Sequence, residues 1–169
     1  MRALVIAAAG VTAVGLLAGC STGSGSASSK PADFTVTSAK PTLTLIDVGD
    51  RGASVGDYST FSAAVSKDGQ AFGVLYGLKL LVAMPGTNGI ADGFGRYQNQ
   101  LTFDLPDGTI SVAGVQFYTL DGSIPQTSLT EGEDRSVVGG TGAYAGARGT
   151  VHTTSDAGGT RKQEFHFTS

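Results

Sequence analysis

The stretch VVGGTGAYAGARGTVH, residues 137–152, decides the fold. It places five glycines within the eleven residues 139–149, between two runs that are rich in β-branched residues. Glycine tolerates positive φ angles and the close approach of other backbone better than any other residue. The pattern therefore predicts a sharp corner that joins two β-strands.

Part of this corner, GTGAYA at residues 140–145, also matches the permissive dinucleotide-binding fingerprint. That fingerprint requires a helix that begins inside it, within a βαβ unit. Gly146 and Gly149 interrupt any such helix. A structural corner is therefore favoured over a nucleotide site.

The rest of the domain also has the pattern of β-structure. Runs of β-branched and aromatic residues are separated by Asp-Gly, Asn-Gly and Gly-Gly pairs, of which the first two suit tight hairpins. The predicted strands are 34–47, 58–66, 72–84, 95–105, 109–119, 136–138 with the adjoining corner, 149–154 and 162–168. About eight antiparallel strands in one domain of this length predict either a sandwich or a closed barrel.

The N-terminus predicts export. A basic start precedes an apolar run, residues 3–17, which is too short for an ordinary membrane span and is typical of a signal peptide. The sequence LAGC at 17–20 fits the bacterial lipobox, and Cys20 is the chain's one cysteine. We expect a lipoprotein signal peptide over residues 1–19 and acylation of Cys20. The alternative is an ordinary secretory signal in which Cys20 is incidental.

The residues after the signal predict a tethered single domain. Residues 20–32 are rich in Ser and Gly and have little to bury, which is typical of a flexible linker. The composition changes at Asp33, and residues 33–169 suffice for one domain with one core. We expect this domain to be lipid-anchored at the bacterial cell envelope, on the extracytoplasmic side of the membrane. With a net charge of −3 and no cluster of Lys or Arg, nucleic-acid binding is not expected.

Three motifs resemble the allene oxide cyclase and dirigent barrel superfamily. They are the corner GGTGAYAGARG (139–149), the entry GDYSTF (56–61) and the strand GTISVAG (108–114), in the family's order over roughly residues 43–167. The resemblance implies an all-β fold, a single eight-stranded antiparallel β-barrel. It also implies a cyclase, isomerase or dirigent-like role and a homotrimer, although a shared fold says less about activity than about architecture.

The family's catalytic positions are not matched. The acidic residue of the plant allene oxide cyclases falls on Leu45, and their chamber cysteine falls on Lys79. Their asparagines fall on Asp47 and Ala63, and the dirigent aspartate after the glycine turn falls on Ala143. The resemblance therefore implies the scaffold without the plant cyclisation or the dirigent chemistry.

Lys79 is the most informative charged residue because it lies within the apolar run LYGLKLLV, residues 75–82. A lysine that faces a barrel interior needs an acidic partner or a lowered pKa. Asp47, at the end of a predicted strand, is the partner we expect. Asp47 and Lys79 are thus the candidate catalytic or ligand-orienting pair. The alternative is that Lys79 extends outward, to solvent or to a neighbouring subunit.

Further residues are candidate contacts for a ligand. The strand pattern does not fix which of them face the lumen. The apolar candidates are Leu75, Tyr76, Tyr97, Phe103 and Phe117. Arg148 is added because it matches the family's A-R-G arginine, although an arginine at a corner can equally bind backbone carbonyls.

The two histidines give weaker signals. His166 and Glu164 lie on one strand face and could act as a base and its orienting group, but a solvated face is the commoner outcome for such a pair. His152 has no metal-binding spacing to His166. We expect no metal and no cofactor.

Two hypotheses remain from the sequence. The first is a barrel that binds a small, largely apolar molecule in its lumen and promotes cyclisation or isomerisation by confinement. The alternative is a filled barrel that acts as a non-catalytic structural or interaction module at the cell surface.

Overall fold

The computed structural model describes residues 30–89, 92–121 and 131–169. The predicted signal peptide, Cys20 and most of the predicted linker lie outside these residues. The described strands are β1 (Phe34–Ser38), β2 (Thr42–Ile46), β3 (Tyr58–Lys67), β4 (Gln70–Ala83), β5 (Gly95–Leu105), β6 (Gly108–Tyr118), β7 (Glu133–Gly140), β8 (Gly149–Ser155) and β9 (Arg161–Phe167). Within the described ranges, the only helical elements are two 3-10 turns, Thr87–Gly89 and Gly142–Tyr144.

The strands form one antiparallel sheet that closes on itself. From β3 to β9 each strand pairs with the next along the chain, and β9 then pairs with β1. The pairing of β1 with β3 completes a ring of eight strands. β2 is an extra strand that pairs with the first half of β3. The predicted eight-stranded antiparallel barrel is confirmed, and residues 34–167 hold every strand of the ring.

The first predicted strand, residues 34–47, is divided in the structure into β1 and β2. The chain leaves the sheet at Ala39–Pro41, where Pro41 has no N–H group for a strand ladder. Ala39 still donates its N–H to the carbonyl of Ala64 at 2.9 Å. The division allows β1 and β2 to pair with different parts of β3, and it accounts for the ninth strand.

The predicted corner is confirmed between β7 and β8. The Ala143 N–H donates to the carbonyl of Asp107 at 2.8 Å, so the corner lies against the β5–β6 turn. Gly108 has a φ of +139°, and a side chain there would collide with the carbonyl of Thr141. Tyr144 turns inward and is buried. The corner thereby covers one end of the barrel.

Along the strands, the inward-facing residues change from apolar to polar. On β5, for example, Leu101 and Phe103 face inward near one end, whereas Tyr97 and Asn99 face inward near the other. The buried apolar cluster next to the corner, here called the apolar half, consists of Val36, Ala63, Val65, Leu75, Leu101, Phe103, Leu105, Ile110, Val112, Val137, Tyr144, Ala147, Val151, Phe165 and Phe167. The polar half consists of Ser59, Lys79, Tyr97, Asn99, Gln116, Tyr118, Glu133, Arg135, Thr153, Arg161 and Gln163.

Candidate functional site

A pocket of about 360 Å³ opens into the polar half of the lumen. One wall comes from β3, β4 and β5, and the other comes from β2 and the segment that leads from it into β3. The lining residues are Leu43, Leu45, Asp47, Gly52, Ala53, Asp57, Tyr58, Ser59, Lys79, Leu81, Tyr97, Leu120 and Asp121. A concave, largely apolar surface with a few polar groups is the usual form of a small-molecule site.

Lys79 is at the centre of the inner wall. In the strand register it lies directly opposite Ser59 of β3 on one side and Asn99 of β5 on the other. Its Nζ atom lies over the ring of Tyr97, 5.0 Å from the centroid, and over the ring of Tyr118, 4.4 Å from the centroid. The faces of aromatic rings attract a cation. Two tyrosines therefore hold the ammonium group inside the barrel.

The surroundings of Lys79 favour its neutral form more than water does. Only 8% of the residue is exposed. Burial, with a smaller effect from the positive charge of Arg161, lowers the pKa of Lys79 to about 8. The negative charges of Asp121 and Glu133 act in the opposite direction. At neutral pH Lys79 is thus mostly charged, but it can release its proton at modest energy cost.

Asp47 reaches the same pocket as Lys79, as the sequence pattern led us to expect. No salt bridge joins the two side chains in the described part of the chain; Asp47 instead accepts a 3.4 Å hydrogen bond from the N–H of Gly52. The structure therefore brings the predicted pair to one cavity without pairing the charges. Their catalytic or orienting role stays a prediction.

Asp57 shapes the rim of the pocket. The N–H groups of Val48 and Ser54 each donate to its carboxylate at 2.7 Å, and these bonds lower the pKa of Asp57. The backbone carbonyl of Asp57 accepts from the N–H of Leu81 at 2.8 Å. The aspartate of the GDYSTF motif thus ties the segment after β2 to the end of β4. Its contacts are those of a residue that positions the wall rather than of a reacting group.

The outer wall is apolar and open. Leu43 and Leu45 of β2 pair with Phe61 and Ser59 of β3, so they share the face that looks into the pocket. Leu45 is nevertheless 75% exposed, and Leu43 is also exposed. Large apolar side chains left open on a concave surface are a common mark of a binding site.

Behind the pocket, the polar half contains a hydrogen-bonded cluster around Arg135. Its guanidinium donates to Glu133 at 2.9 Å, to Thr153 at 3.1 Å and to the side-chain oxygen of Gln116. The same oxygen accepts a 2.8 Å hydrogen bond from the hydroxyl of Tyr118. Because Tyr118 also lies under the ammonium group of Lys79, the cluster is continuous with the pocket wall.

The predicted ligand contacts fall in three places. Tyr97 lines the pocket, whereas Leu75 and Phe103 are packed into the apolar half. Tyr76 and Phe117 are about half exposed on the outer surface, because strand alternation places them on the face opposite to Lys79 and Gln116. A lumen contact from these two side chains is therefore excluded by the alternation.

Arg148 lies at the corner, away from the residues that line the pocket. Its side chain is exposed, and Nη1 donates to the carbonyl of Ala147 at 2.8 Å. This is the backbone-binding alternative that the sequence left open. The match to the family's arginine thus reflects the corner's construction.

Sequence reasoning missed the polar groups behind the pocket, namely Gln116, Tyr118, Glu133, Arg135 and Arg161. One signal was present, because Glu133, Arg135 and Val137 alternate on β7. The sequence pattern predicts a strand only from residue 136, which leaves Arg135 outside every predicted strand. Gln116 lies in the predicted strand 109–119, where a single polar residue among apolar and small ones gives no separate signal.

The histidines lie at the surface. His166 donates a hydrogen bond from Nδ1 to the carboxylate of Asp33 at 3.4 Å, while Glu164 accepts from Lys162 at 2.8 Å, so the hydrogen bonds of His166 and Glu164 go to other residues. Across residues 30–89, 92–121 and 131–169, no three His, Cys, Asp or Glu side chains are grouped as metal ligands. The same ranges contain no helix with the length and apolar character needed to cross a membrane.

The fold and pocket define a class: a small closed β-barrel with a partly open lumen. Solved structures share this fold. A pyocyanin demethylase aligns with a TM-score of 0.64 at 23% identity, over 81% of this chain and 100% of that chain. The Diels-Alderase AbmU from Streptomyces koyangensis aligns with a TM-score of 0.53 at 13% identity, over 79% of this chain and 60% of that chain.

A third structure has the same fold. It is a heme-binding cyclase that catalyses a cycloaddition in neoabyssomicin biosynthesis, with a TM-score of 0.52 and 14% identity over 81% of this chain and 63% of that chain. At these identities the likeness establishes the fold alone. No protein family and no curated protein matches the sequence.

Proposed function

We propose that the barrel binds a small, largely apolar molecule in the pocket at the polar half of its lumen. The observation that carries the proposal is the pocket itself, in which exposed leucines face a buried lysine across a cavity of about 360 Å³. An apolar ligand that covers Leu45 would be bound more tightly, since burying apolar surface contributes about 25 cal/mol of favourable free energy per Å². Lys79 and Ser59, which both line the pocket, would orient the polar end of that ligand.

A role in cyclisation or isomerisation is the reaction class that this proposal favours. The barrels with the same fold are named for a demethylase and two cyclisation activities, and the sequence motifs resemble the allene oxide cyclase superfamily. The catalytic residues of plant allene oxide cyclases and dirigent proteins are not matched in this chain. Confinement of the ligand would therefore be the main source of any rate gain. Lys79 would assist by giving or taking a proton near neutral pH.

Binding can be tested with N-phenyl-1-naphthylamine, an uncharged probe whose fluorescence rises in apolar surroundings. The protein used would comprise residues 30–169, which hold the whole ring of strands. We expect one probe per chain, and we expect Leu45→Ser to weaken binding about fivefold because a leucine contact on the pocket wall is lost.

Val115→Ser is the matched control, because Val115 is an exposed apolar residue on the outer face of β6. It should leave the affinity unchanged. Saturable binding with an affinity that Leu45→Ser leaves unchanged would contradict the assignment of the ligand to this pocket. Absence of binding by this probe and by a panel of similar apolar molecules would favour the structural or interaction module, which the packed apolar half also supports.

The location is a second part of the proposal. The lipobox and Cys20 support a lipid-anchored protein on the extracytoplasmic side of a bacterial membrane. Cys20→Ala in the full chain, expressed in an export-competent bacterium, should move the protein from the membrane fraction to the soluble extracytoplasmic fraction. Thr22→Ala, two residues away, should stay with the membrane. Equal membrane association of the two variants would overturn the anchor.

A further inference from the structure

The inward-facing ionisable groups in the polar half do not balance in charge. Arg135 and Glu133 form a salt bridge at 2.9 Å and offset each other. Lys79 and Arg161 remain as inward-facing cations. Three further carboxylates line the opening of the pocket: Asp47 and Asp121 are exposed, and Asp57 is bound by the backbone N–H groups of Val48 and Ser54. Burying unbalanced charge is costly, so an interior with two surplus cations is arranged for a negative partner.

Arg161 is the less satisfied of the two cations. It begins β9 on the inward face, opposite Ser155 of β8 and Ser38 of β1. Its side chain makes no hydrogen bond or salt bridge to any residue that the structure describes. Guanidinium groups have five N–H donors in a planar fork, which matches the geometry of a carboxylate or another oxyanion.

Other polar atoms in the same region also lack partners. The Nε atom of Arg135, the side-chain nitrogen of Gln116 and the hydroxyl of Ser59 are buried, and none has a hydrogen-bond partner in the described residues. Arg135 and Gln116 are each more than nine-tenths buried. Native proteins satisfy most buried polar groups, so such a set needs an explanation. These three groups can all donate, whereas a fourth unpartnered atom, the side-chain oxygen of Gln163, can only accept. The unpartnered donors outnumber the acceptor, which again fits a ligand group that accepts.

The cations are electrostatically coupled to one another and to the pocket wall. The charge of Arg161 acts on Lys79, and Tyr118 lies against Lys79 while its hydroxyl contacts Gln116. Lys79 lines the pocket directly. A ligand that enters over Leu45 would thus meet Lys79 first, with the charge of Arg161 behind it.

We propose that the polar half of the lumen is an anion site, in which Lys79 and Arg161 bind the oxyanion group of an organic acid whose apolar body occupies the pocket. The inference rests on the proposed function, since it assigns the chemical class of that ligand. It predicts a carboxylate, sulfonate or phosphate group at the inner end of the molecule. A cationic group at that inner end would be repelled by Lys79 and Arg161.

Two fluorescent probes with the same ring system separate the anion site from simple apolar binding. 8-Anilinonaphthalene-1-sulfonate has a sulfonate that N-phenyl-1-naphthylamine lacks. In protein comprising residues 30–169, we expect the sulfonate probe to compete with the neutral one at one site per chain. Arg161→Gln should lower the ratio of their affinities, sulfonate over neutral, by about tenfold, as for loss of one charge-assisted contact.

Arg161→Lys should recover most of the ratio, because it keeps the charge. Lys162→Gln is the matched control on the adjacent, outward-facing position of β9 and should leave the ratio unchanged. A ratio that stays within about twofold in Arg161→Gln, or a sulfonate probe that does not displace the neutral one, overturns the anion site. If neither probe nor the wider apolar panel binds, the proposed function fails as well, so the two failures are distinguishable.

The pH profile gives a readout that a merely structural role of Arg161 would not move. With Lys79 at a pKa of about 8, sulfonate affinity should be constant below about pH 8 and fall above it, as the ammonium group loses its proton. Arg161→Gln should move this fall to higher pH, since the charge of Arg161 lowers the pKa of Lys79. The other charged or titratable groups around Lys79 are the pocket carboxylates Asp47, Asp57 and Asp121, the Glu133–Arg135 pair, and the phenols of Tyr97 and Tyr118, whose pKa values are raised by burial.

If Arg161→Gln does not fold, the pH dependence of sulfonate affinity in the unsubstituted protein still tests the anion site. A sulfonate affinity that is flat from pH 7 to about 9.5 would overturn the proposal.

Discussion

The two halves of the lumen are made from the same strands, with the same alternation of inward and outward residues, yet they have opposite characters. In the apolar half, Phe165 lies 4.9 Å from the ring of Phe34 and 5.0 Å from that of Phe103, with no exposed surface. In the polar half, Lys79 rests on two tyrosines beside an open cavity. The comparison indicates that the packed core and the candidate binding pocket are separated along the barrel.

The corner explains why the division falls where it does. The segment Gly142–Tyr144 covers the end next to the apolar half, and Tyr144 adds its ring to that cluster. At the other end, the segment held by Asp57 forms a wall but leaves the cavity open. One end can therefore be packed at the density of a protein core, while the other end is available to a ligand.

The largest expected effect comes from removing the centre of the apolar half. Phe165→Ala should destabilise the protein by about 3–5 kcal/mol, because it removes ring contacts and leaves a cavity that stiff strands cannot fill. Urea denaturation of the variant measures the change. If the comparison between halves is right, the folded fraction should still bind N-phenyl-1-naphthylamine with unchanged affinity.

Phe117→Ala is the control for this substitution. Phe117 is 48% exposed on the outer surface and contacts the guanidinium of Arg96 at 4.4 Å from its ring centroid. Its loss should cost about 1 kcal/mol or less. Equal destabilisation by the two variants would mean that the apolar half is not the principal core.

The strands and turns could be predicted well because their determinants are local, whereas the closed barrel, rather than a sandwich, was implied only by the resemblance to the allene oxide cyclase and dirigent superfamily. The glycines of residues 139–149 and the hairpin dipeptides mark the turns, and strand alternation gives the rest. The division of residues 34–47 was missed because nothing in the residues of β1 and β2 tells which part of β3 each will meet. Pro41 was the local sign of the break.

The site was predictable only in part, for a physical reason. Lys79 stood out because a charge in an apolar run has few explanations, and it does face the lumen. Asp47 lines the same cavity as Lys79 without pairing with it, because its distance from Lys79 depends on how the segment after β2 folds back. Gln116, Arg135 and Arg161 come from three different strands, and only closure of the barrel brings them together.

A smaller effect, of opposite sign, is expected from the polar half. Lys79→Met should stabilise the unliganded protein by about 1–3 kcal/mol at pH 7, because it removes a buried charge while its side chain fills a similar space. Loss of the attraction to the rings of Tyr97 and Tyr118 offsets part of this gain. Binding of the sulfonate probe should weaken in the same variant, so that stability and binding change in opposite directions.

The pH dependence of this gain identifies its source. The pKa of Lys79 is lowered in the folded protein to about 8, from 10.5, so between these values the unfolded chain binds more protons than the folded one. The stability of the unsubstituted protein relative to Lys79→Met should therefore rise from about pH 8 to about pH 10.5. Ionisation of tyrosines in the unfolded chain is common to both proteins and cancels in the difference. Lys162→Met, at an exposed position paired with Glu164, is the control and should show no such trend. If the stability difference between the unsubstituted protein and Lys79→Met is the same at pH 7 and pH 10, Lys79 carries no buried charge.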